Sequence, residues 1–122
     1  MQFTKKYAPI ATDDYQFSQR LGEDLYEFLS NNDRIMKQYL QISRFFGHKI
    51  GGYPDFIQGD ARWGNNPDSD TEQNILLFQM DSSVEDAVHI LWRDDGICNF
   101  FISQSKLINL DFTDVWYNWA CA

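Results

Sequence analysis

The stretch ILLFQMDSSVEDAVHILWRDDGICNFFIS, residues 75–103, decides the fold. It contains three apolar runs, at 75–80, 89–93 and 97–102. A polar connection separates the first two runs, and Asp95-Gly96 separates the last two. An Asp-Gly pair is typical of a type I′ hairpin turn, because both central residues of that turn take positive φ. The stretch therefore predicts a three-stranded antiparallel meander.

The predicted turn also sets a register for the hairpin. With Asp95 and Gly96 as the loop residues, Trp92 faces Asn99 across the last two predicted strands. Alternate residues of a strand point to opposite faces of the sheet. Both faces of this hairpin are then largely apolar, so we expect other parts of the chain to cover both sides of the sheet.

A helical pattern precedes the meander, over residues 13–30. Its apolar residues recur at the three- and four-residue spacing of one helix face: Phe17, Leu21, Leu25, Phe28 and Leu29. We expect this amphipathic helix to pack on the meander. The fold class predicted is α+β, in a single domain over residues 1–122.

The remaining segments give shorter elements. Residues 33–46 fit either a helix or a helix ending in a strand, and we prefer a helix to about Gln41. A short strand is expected near 48–50 and a loop over 59–74, which is either mobile or functional. After the meander, 104–110 fits one or two helical turns, and 115–119 fits a final strand or docked tail.

Composition excludes several classes of function. The net charge of −8 argues against nucleic acid and against anionic membranes, because both need clustered Lys and Arg. A basic protein partner is compatible with that charge, although acidic solubility is the simpler explanation. We find no signal peptide, no membrane span and only Cys98 and Cys121, so we expect a reduced cytoplasmic protein.

The candidates for chemistry are few. His89 lies within a predicted strand, and His48 precedes a pair of glycines, so His48 is the better functional candidate. Acidic residues at 68, 70 and 72 alternate as in a calcium loop, but Gln73 stands where the turn glycine belongs. No serine stands in a triad motif, and no zinc or nucleotide motif occurs. We therefore expect no cofactor, no metal site and no catalytic residues.

Four blocks of the sequence resemble a known family. They are HKIGGYPDFIQGDAR at 48–62, LLFQMD at 76–81, WRDDGICNFFI at 92–102, and the closing Leu107–Cys121. Together they resemble the YwqG-like family, a bacterial domain of unknown function, over about residues 46–122. The resemblance implies an α+β fold, no established enzymatic activity, and an immunity-type binding role, since members often lie near polymorphic-toxin genes. Members are usually longer, so the chain looks like the C-terminal half.

Three functions follow from these observations. The first is a non-catalytic protein-binding module, using the 59–74 loop and the adjacent Gly51-Gly52 turn. The second is a small-molecule or enzymatic site near His48, Gln58, Gln79 and Asp81, and the third is a structural homodimer that completes an open sheet. The candidate binding residues are His48, Gly51, Gly52, Gln58, Asp60, Arg62, Trp63, Asp68, Gln79 and Asp81.

Overall fold

The structure, a computed structural model, describes residues 2–62, 75–82 and 90–122. Helices and strands alternate in blocks along the chain. They are α1 (Phe17–Leu21), α2 (Glu23–Ser30), α3 (Asp33–Ser43), β1 (Lys49–Ile50), β2 (Ile75–Asp81), β3 (Gly96–Ile102), α4 (Gln104–Ile108) and β4 (Trp116–Cys121). The predicted α+β class is confirmed. None of the described helices is long and apolar enough to cross a membrane.

The four strands form one antiparallel sheet in the order β1-β2-β3-β4. On its inner face, Leu76, Phe101 and Trp116 lie side by side across three strands, and Phe56 packs on them. On its outer face the next row is Phe78, Phe100 and Tyr117, and Ile50 of β1 pairs with Phe78. The sheet therefore has a core on one side and an aromatic row on the other.

The predicted hairpin at Asp95-Gly96 is wrong. Residues 90–95 form no strand, and His89 lies outside the described residues. Gly96 is the first residue of β3, and Asn99 pairs with Gln79 and Asn118 instead of Trp92. β2 and β4 pair with the two sides of β3, so the described part of the 89–93 run, residues 90–93, takes neither side.

The contacts of Gly96 explain why it is not a turn residue. Its N–H donates to the Ser82 hydroxyl at 2.7 Å, and its carbonyl accepts from the Ser82 N–H at 3.0 Å, which extends the β2–β3 ladder. A Cβ at Gly96 would lie 2.4 Å from the Trp92 carbonyl oxygen. Glycine is therefore needed here because two backbone segments approach closely. The positive φ that was expected at the turn occurs earlier, at Arg93.

The helix predicted over 13–30 is interrupted at Gly22, whose φ is +93°. Because of the break, the apolar residues of α1 and α2 no longer share one helix face. Phe17 and Leu29 are buried, while Leu21 and Phe28 are 44% and 51% exposed. The buried side chains form a cluster of their own, apart from the cluster on the sheet: Ile10, Phe17 and Leu29, with Leu25, Met36, Tyr39 and Tyr53 against them. This face thus packs on α3 and the N-terminal segment, not on the strands as expected.

Several shorter predictions are confirmed. The helix preferred over 33–41 extends to Ser43, the strand near 48–50 is β1, and the segment after the meander forms α4. The final segment is the strand β4, which resolves the alternative of a docked tail. Most of the predicted 59–74 loop lies outside the described residues, which end at Arg62 and resume at Ile75.

Candidate functional site

Arg62 is the centre of a buried ionic cluster with Asp14 and Asp60. One guanidinium nitrogen lies 2.8 Å from Asp14 Oδ2 and 2.7 Å from Asp60 Oδ2. The Tyr15 N–H donates to Asp60 at 2.9 Å, and the Arg62 side chain is 6% exposed. We call these three side chains the arginine cluster. It connects the segment before α1 with the segment that follows Phe56.

Aromatic rings enclose the same guanidinium. Its central carbon lies 4.6 Å from the Tyr15 ring centroid, 5.0 Å from that of Phe101 and 5.6 Å from that of Phe56. Phe56 and Phe101 belong to the apolar cluster on the sheet, and Tyr15 precedes α1. Arg62 therefore joins the sheet cluster to the segment before α1 through cation–π contacts as well as through ion pairs.

The pKa shifts follow from this burial. Burial raises the pKa of Asp14 above its usual value, and the nearby positive charge of Arg62 offsets only part of that rise. For Arg62, burial by itself lowers the pKa, but the hydrogen bonds to Asp60 and the charge of Asp14 raise it above its usual value. Arg62 thus stays charged, and its donors are directed at the two carboxylates that hold it.

A second buried polar cluster surrounds Gln79 of β2. The Gln79 Oε1 accepts from the Asp55 N–H at 2.8 Å, and its Nε2 donates to the Gly47 carbonyl and to Asp55 Oδ2, both at 3.1 Å. The Asn99 amide donates to the Asp55 carbonyl at 3.0 Å. We call Gly47, Asp55, Gln79 and Asn99 the amide network. It fastens the chain between β1 and Phe56 to the inner face of the sheet.

Lys49, Asp81 and His48 extend the amide network towards the surface. Lys49 Nζ lies 2.7 Å from Asp55 Oδ2, and Asp81 Oδ2 accepts from the Gly47 N–H at 2.8 Å. The Asp81 N–H donates to His48 Nδ1 at 3.2 Å. His48, Gln79 and Asp81, three residues of the predicted small-molecule site, are therefore close together, but Gln79 and Asp81 are occupied by backbone groups of Gly47 and Asp55.

The fourth residue of that predicted site lies elsewhere. Gln58 is exposed, and its Nε2 donates to the Cys121 carbonyl at 2.8 Å, at the far side of β4. No hydrogen bond among the described residues links Gln58 to His48, Gln79 or Asp81. The neutral amides and backbone contacts of the group are typical of a structural role.

The two cysteines differ in burial, since Cys98 is buried and Cys121 is partly exposed. Cys98 is buried, and burial raises the pKa of its thiol to about 11. A thiol, not the nucleophilic thiolate, is therefore present near neutral pH. Across the described ranges, no three His, Cys, Asp or Glu side chains are grouped as metal ligands.

An open groove of about 960 Å³ runs between the N-terminal segment and the chain around β1. Residues 2–9 form one wall, and the other comprises Ser43, Phe45 and residues 48–53. His48, Gly51 and Gly52, all predicted as binding residues, line this groove. Gly51 and Gly52 both have positive φ, at 69° and 75°, which permits the tight turn after β1.

The second exposed feature is the outer face of the sheet at β4. Tyr117 and Trp119 are 56% and 41% exposed, and Ile50 at the opposite end of the aromatic row is 62% exposed. The rings of Phe78, Phe100 and Tyr117 stack in sequence, with centroids 6.3 Å and 5.9 Å apart. This row places apolar area at the surface of an otherwise acidic protein.

The predicted site residues thus fall into separate places. Asp60 and Arg62 lie in the arginine cluster, Gln79 and Asp81 in or beside the amide network, and Trp63 and Asp68 outside the described residues. Sequence reasoning missed Lys5 and Lys6, which line the groove. The sequence could have pointed to them, because two adjacent lysines stand out in a chain with an excess of acidic residues. The binding roles of the predicted residues stay predictions.

The chain belongs to the family described as Domain of unknown function (DUF1963), whose model matches residues 1–121. The match includes the helical segment before residue 46, which the four sequence blocks above do not reach. No curated protein matches the chain.

Proposed function

We propose that this protein is a non-catalytic protein-binding module that receives a β-strand of its partner along β4. The observation that carries the proposal is that no strand of the described residues pairs with the outer edge of β4, beside which Tyr117 and Trp119 are exposed. An extended partner segment gains backbone hydrogen bonds at such an edge, and adjacent side chains supply specificity.

The direction of the β4 backbone groups supports this use of the edge. Gly96 turns its N–H and carbonyl towards Ser82 of the β2 side, and it pairs with Cys121 on the other side. Cys121 therefore turns its own groups away from β3, which agrees with the hydrogen bond from Gln58 to its carbonyl. Because these directions alternate along a strand, Tyr117 and Trp119 also turn their backbone groups outward.

The composition of β4 supports pairing as well. Its sequence, WYNWAC, contains no charged residue and no proline, the usual devices that keep an edge strand from pairing. Tyr and Trp are also enriched among residues that dominate binding energy. The opposite edge differs, since β1 has only two residues and one of them is Lys49.

The resemblance to the YwqG-like family makes the proposal more specific, and the match to a domain of unknown function is compatible with it. That resemblance implies an immunity-type role, in which the module covers part of a bacterial toxin in the cytoplasm. The net charge of −8 favours a basic partner, because opposite charges raise the rate of encounter.

The test uses proteins encoded by genes adjacent to that of this chain, each assayed by affinity capture. We expect one of them to bind the wild type and to lose at least about tenfold in affinity with Tyr117→Lys and Trp119→Lys, which place charges along the edge. Phe28→Lys, at an equally exposed ring on α2, is the control and should retain binding. A partner that binds the edge variant as tightly as the wild type would contradict the proposal.

Light scattering after size-exclusion chromatography distinguishes this proposal from the alternative of a structural homodimer. A monomer at micromolar concentration leaves the edge available to another protein. A dimer that Trp119→Lys dissociates, with no capture of any adjacent gene product, would replace the partner by a second copy of this chain.

A further inference from the structure

We infer that the groove between residues 2–9 and 43–53 binds an extended acidic peptide segment, at a site separate from the β4 edge. The inference rests on the charge of the groove, on the hydrogen-bond donors it presents, and on its length and apolar walls. It does not depend on the function proposed for β4, because the two places share no residue.

The charge of the groove is opposite to that of the whole chain. The net charge is −8, yet the charged side chains along the described groove lining are Lys5, Lys6 and Lys49, with no Asp or Glu among them. Lys49 is neutralised by Asp55 at 2.7 Å. Lys5 and Lys6 form no ion pair with any residue in the described part of the chain. The groove lining therefore includes two lysines whose charge no described residue compensates.

Aromatic rings position both ammonium groups. Lys5 Nζ lies 5.0 Å from the Tyr7 ring centroid, and Lys6 Nζ lies 5.9 Å from that of Phe45. A ring face occupies one side of an ammonium and leaves its other N–H donors available. The two ammonium groups lie against different rings, so each is available to a different carboxylate of one extended ligand.

The opposite wall adds neutral donors. His48 Nδ1 accepts a hydrogen bond from the Asp81 N–H at 3.2 Å, so the imidazole proton lies on Nε2, which remains as a donor. The Gly52 N–H has no partner among the described residues, while the Gly51 N–H is bonded to Leu77. The groove therefore presents several donors, which suits carboxylates as acceptors.

The shape of the groove favours a peptide over a compact anion. Its volume of about 960 Å³ lies at the upper end of small-molecule pockets. Residues 2–9 form neither helix nor strand, and their backbone groups make no hydrogen bond within the described structure. A second extended chain could pair with them, and its apolar side chains would meet the rings of Tyr7, Phe45 and Tyr53.

The experiment measures fluorescence anisotropy of a labelled peptide that alternates glutamate and leucine and is as long as the 2–9 segment. We expect saturable binding to the wild type at low salt, weakened at least about tenfold by Lys5→Glu together with Lys6→Glu. The matched control is Arg34→Glu together with Lys37→Glu on α3, which changes the net charge equally at exposed positions and should alter affinity by less than about twofold.

Three results would overturn the inference. They are the absence of saturable binding to the wild type, an equal loss in the groove variant and the control, and equally effective displacement of the peptide by oligothymidylate of the same charge. Both lysines lie outside the two apolar clusters, so circular dichroism should show the groove variant folded. The milder Lys5→Gln with Lys6→Gln should weaken binding less, and Tyr117→Lys should leave it unchanged.

Discussion

The arginine cluster and the amide network perform a similar task with different chemistry. Each fixes an irregular segment on one side of Phe56: the amide network holds residues 47–55 on the sheet, and the arginine cluster holds residues 60–62 against the segment before α1. The amide network uses mainly neutral groups, with Lys49 and Asp55 paired at its outer end. The arginine cluster places one positive and two negative groups in the interior.

This difference predicts different sensitivities. Removing one partner of a buried ion pair leaves an uncompensated charge in a poorly solvated place, whereas removing a neutral amide leaves unpaired dipoles. The arginine cluster should therefore depend most on its single cation, and the amide network on the one side chain that contacts most of its members, which is Gln79.

The largest effect is expected for Arg62→Met, which leaves Asp14 and Asp60 buried without a cation. We expect the free energy of unfolding to fall by about 3–5 kcal/mol, measured by urea denaturation. Adding Asp14→Asn and Asp60→Asn to that variant removes the stranded charges and should restore part of the loss. A loss below about 1 kcal/mol for Arg62→Met would show that water or rearrangement compensates the carboxylates.

A smaller effect is expected for Gln79→Leu in the amide network. The leucine fills similar volume but leaves the Asp55 N–H and the Gly47 carbonyl without partners, at a cost of about 2–3 kcal/mol in unfolding free energy. Gln38→Leu, on the exposed side of α3, serves as control and should change stability by less than about 0.5 kcal/mol. Equal effects of the two substitutions would contradict the role assigned to Gln79.

The smallest effect is expected for Asp14→Asn, because Asp60 still pairs with Arg62. Burial raises the pKa of Asp14 in the folded protein above the usual 3.8. The folded state then binds this proton more readily than the unfolded state does, so protonation stabilises it. Relative to Asp14→Asn, the wild type should gain stability as pH falls through the raised pKa towards 3.8, as followed by denaturation at several pH values. The opposite slope would mean that Arg62 outweighs the burial.

Residue patterns predicted local elements more accurately than they predicted partners. The apolar runs at 75–80 and 97–102 became β2 and β3, and the helical pattern from Asp33 became α3. The run at 89–93 was equally apolar, yet its described part, 90–93, forms no strand. Periodicity reports that a segment can be buried, but the choice among competing neighbours depends on contacts between distant residues.

The candidate site shows the same limit. Gln79 and Arg62 were singled out as polar residues in a functional setting, and the structure places both in internal contacts that the linear sequence does not indicate. Gly51 and Gly52 were correctly expected at a tight turn, because adjacent glycines permit the positive φ that both residues adopt there. Lys5 was not identified as a candidate binding residue from the sequence, because its place in the groove depends on the chain around β1 that forms the other wall.

By itself, the order of apolar runs, helical periods and glycine pairs determined the α+β class, the position of most elements and the acidic character of the chain. Only the tertiary structure decided which strands flank β3, how Gly22 divides the helix, and where the charges of Arg62, Lys5 and Lys6 lie. The physical reason is that helix and strand preferences arise from neighbouring residues. Strand order, burial of charge and the walls of a groove arise instead from segments tens of residues apart, whose contacts must outweigh the entropy of closing the chain between them.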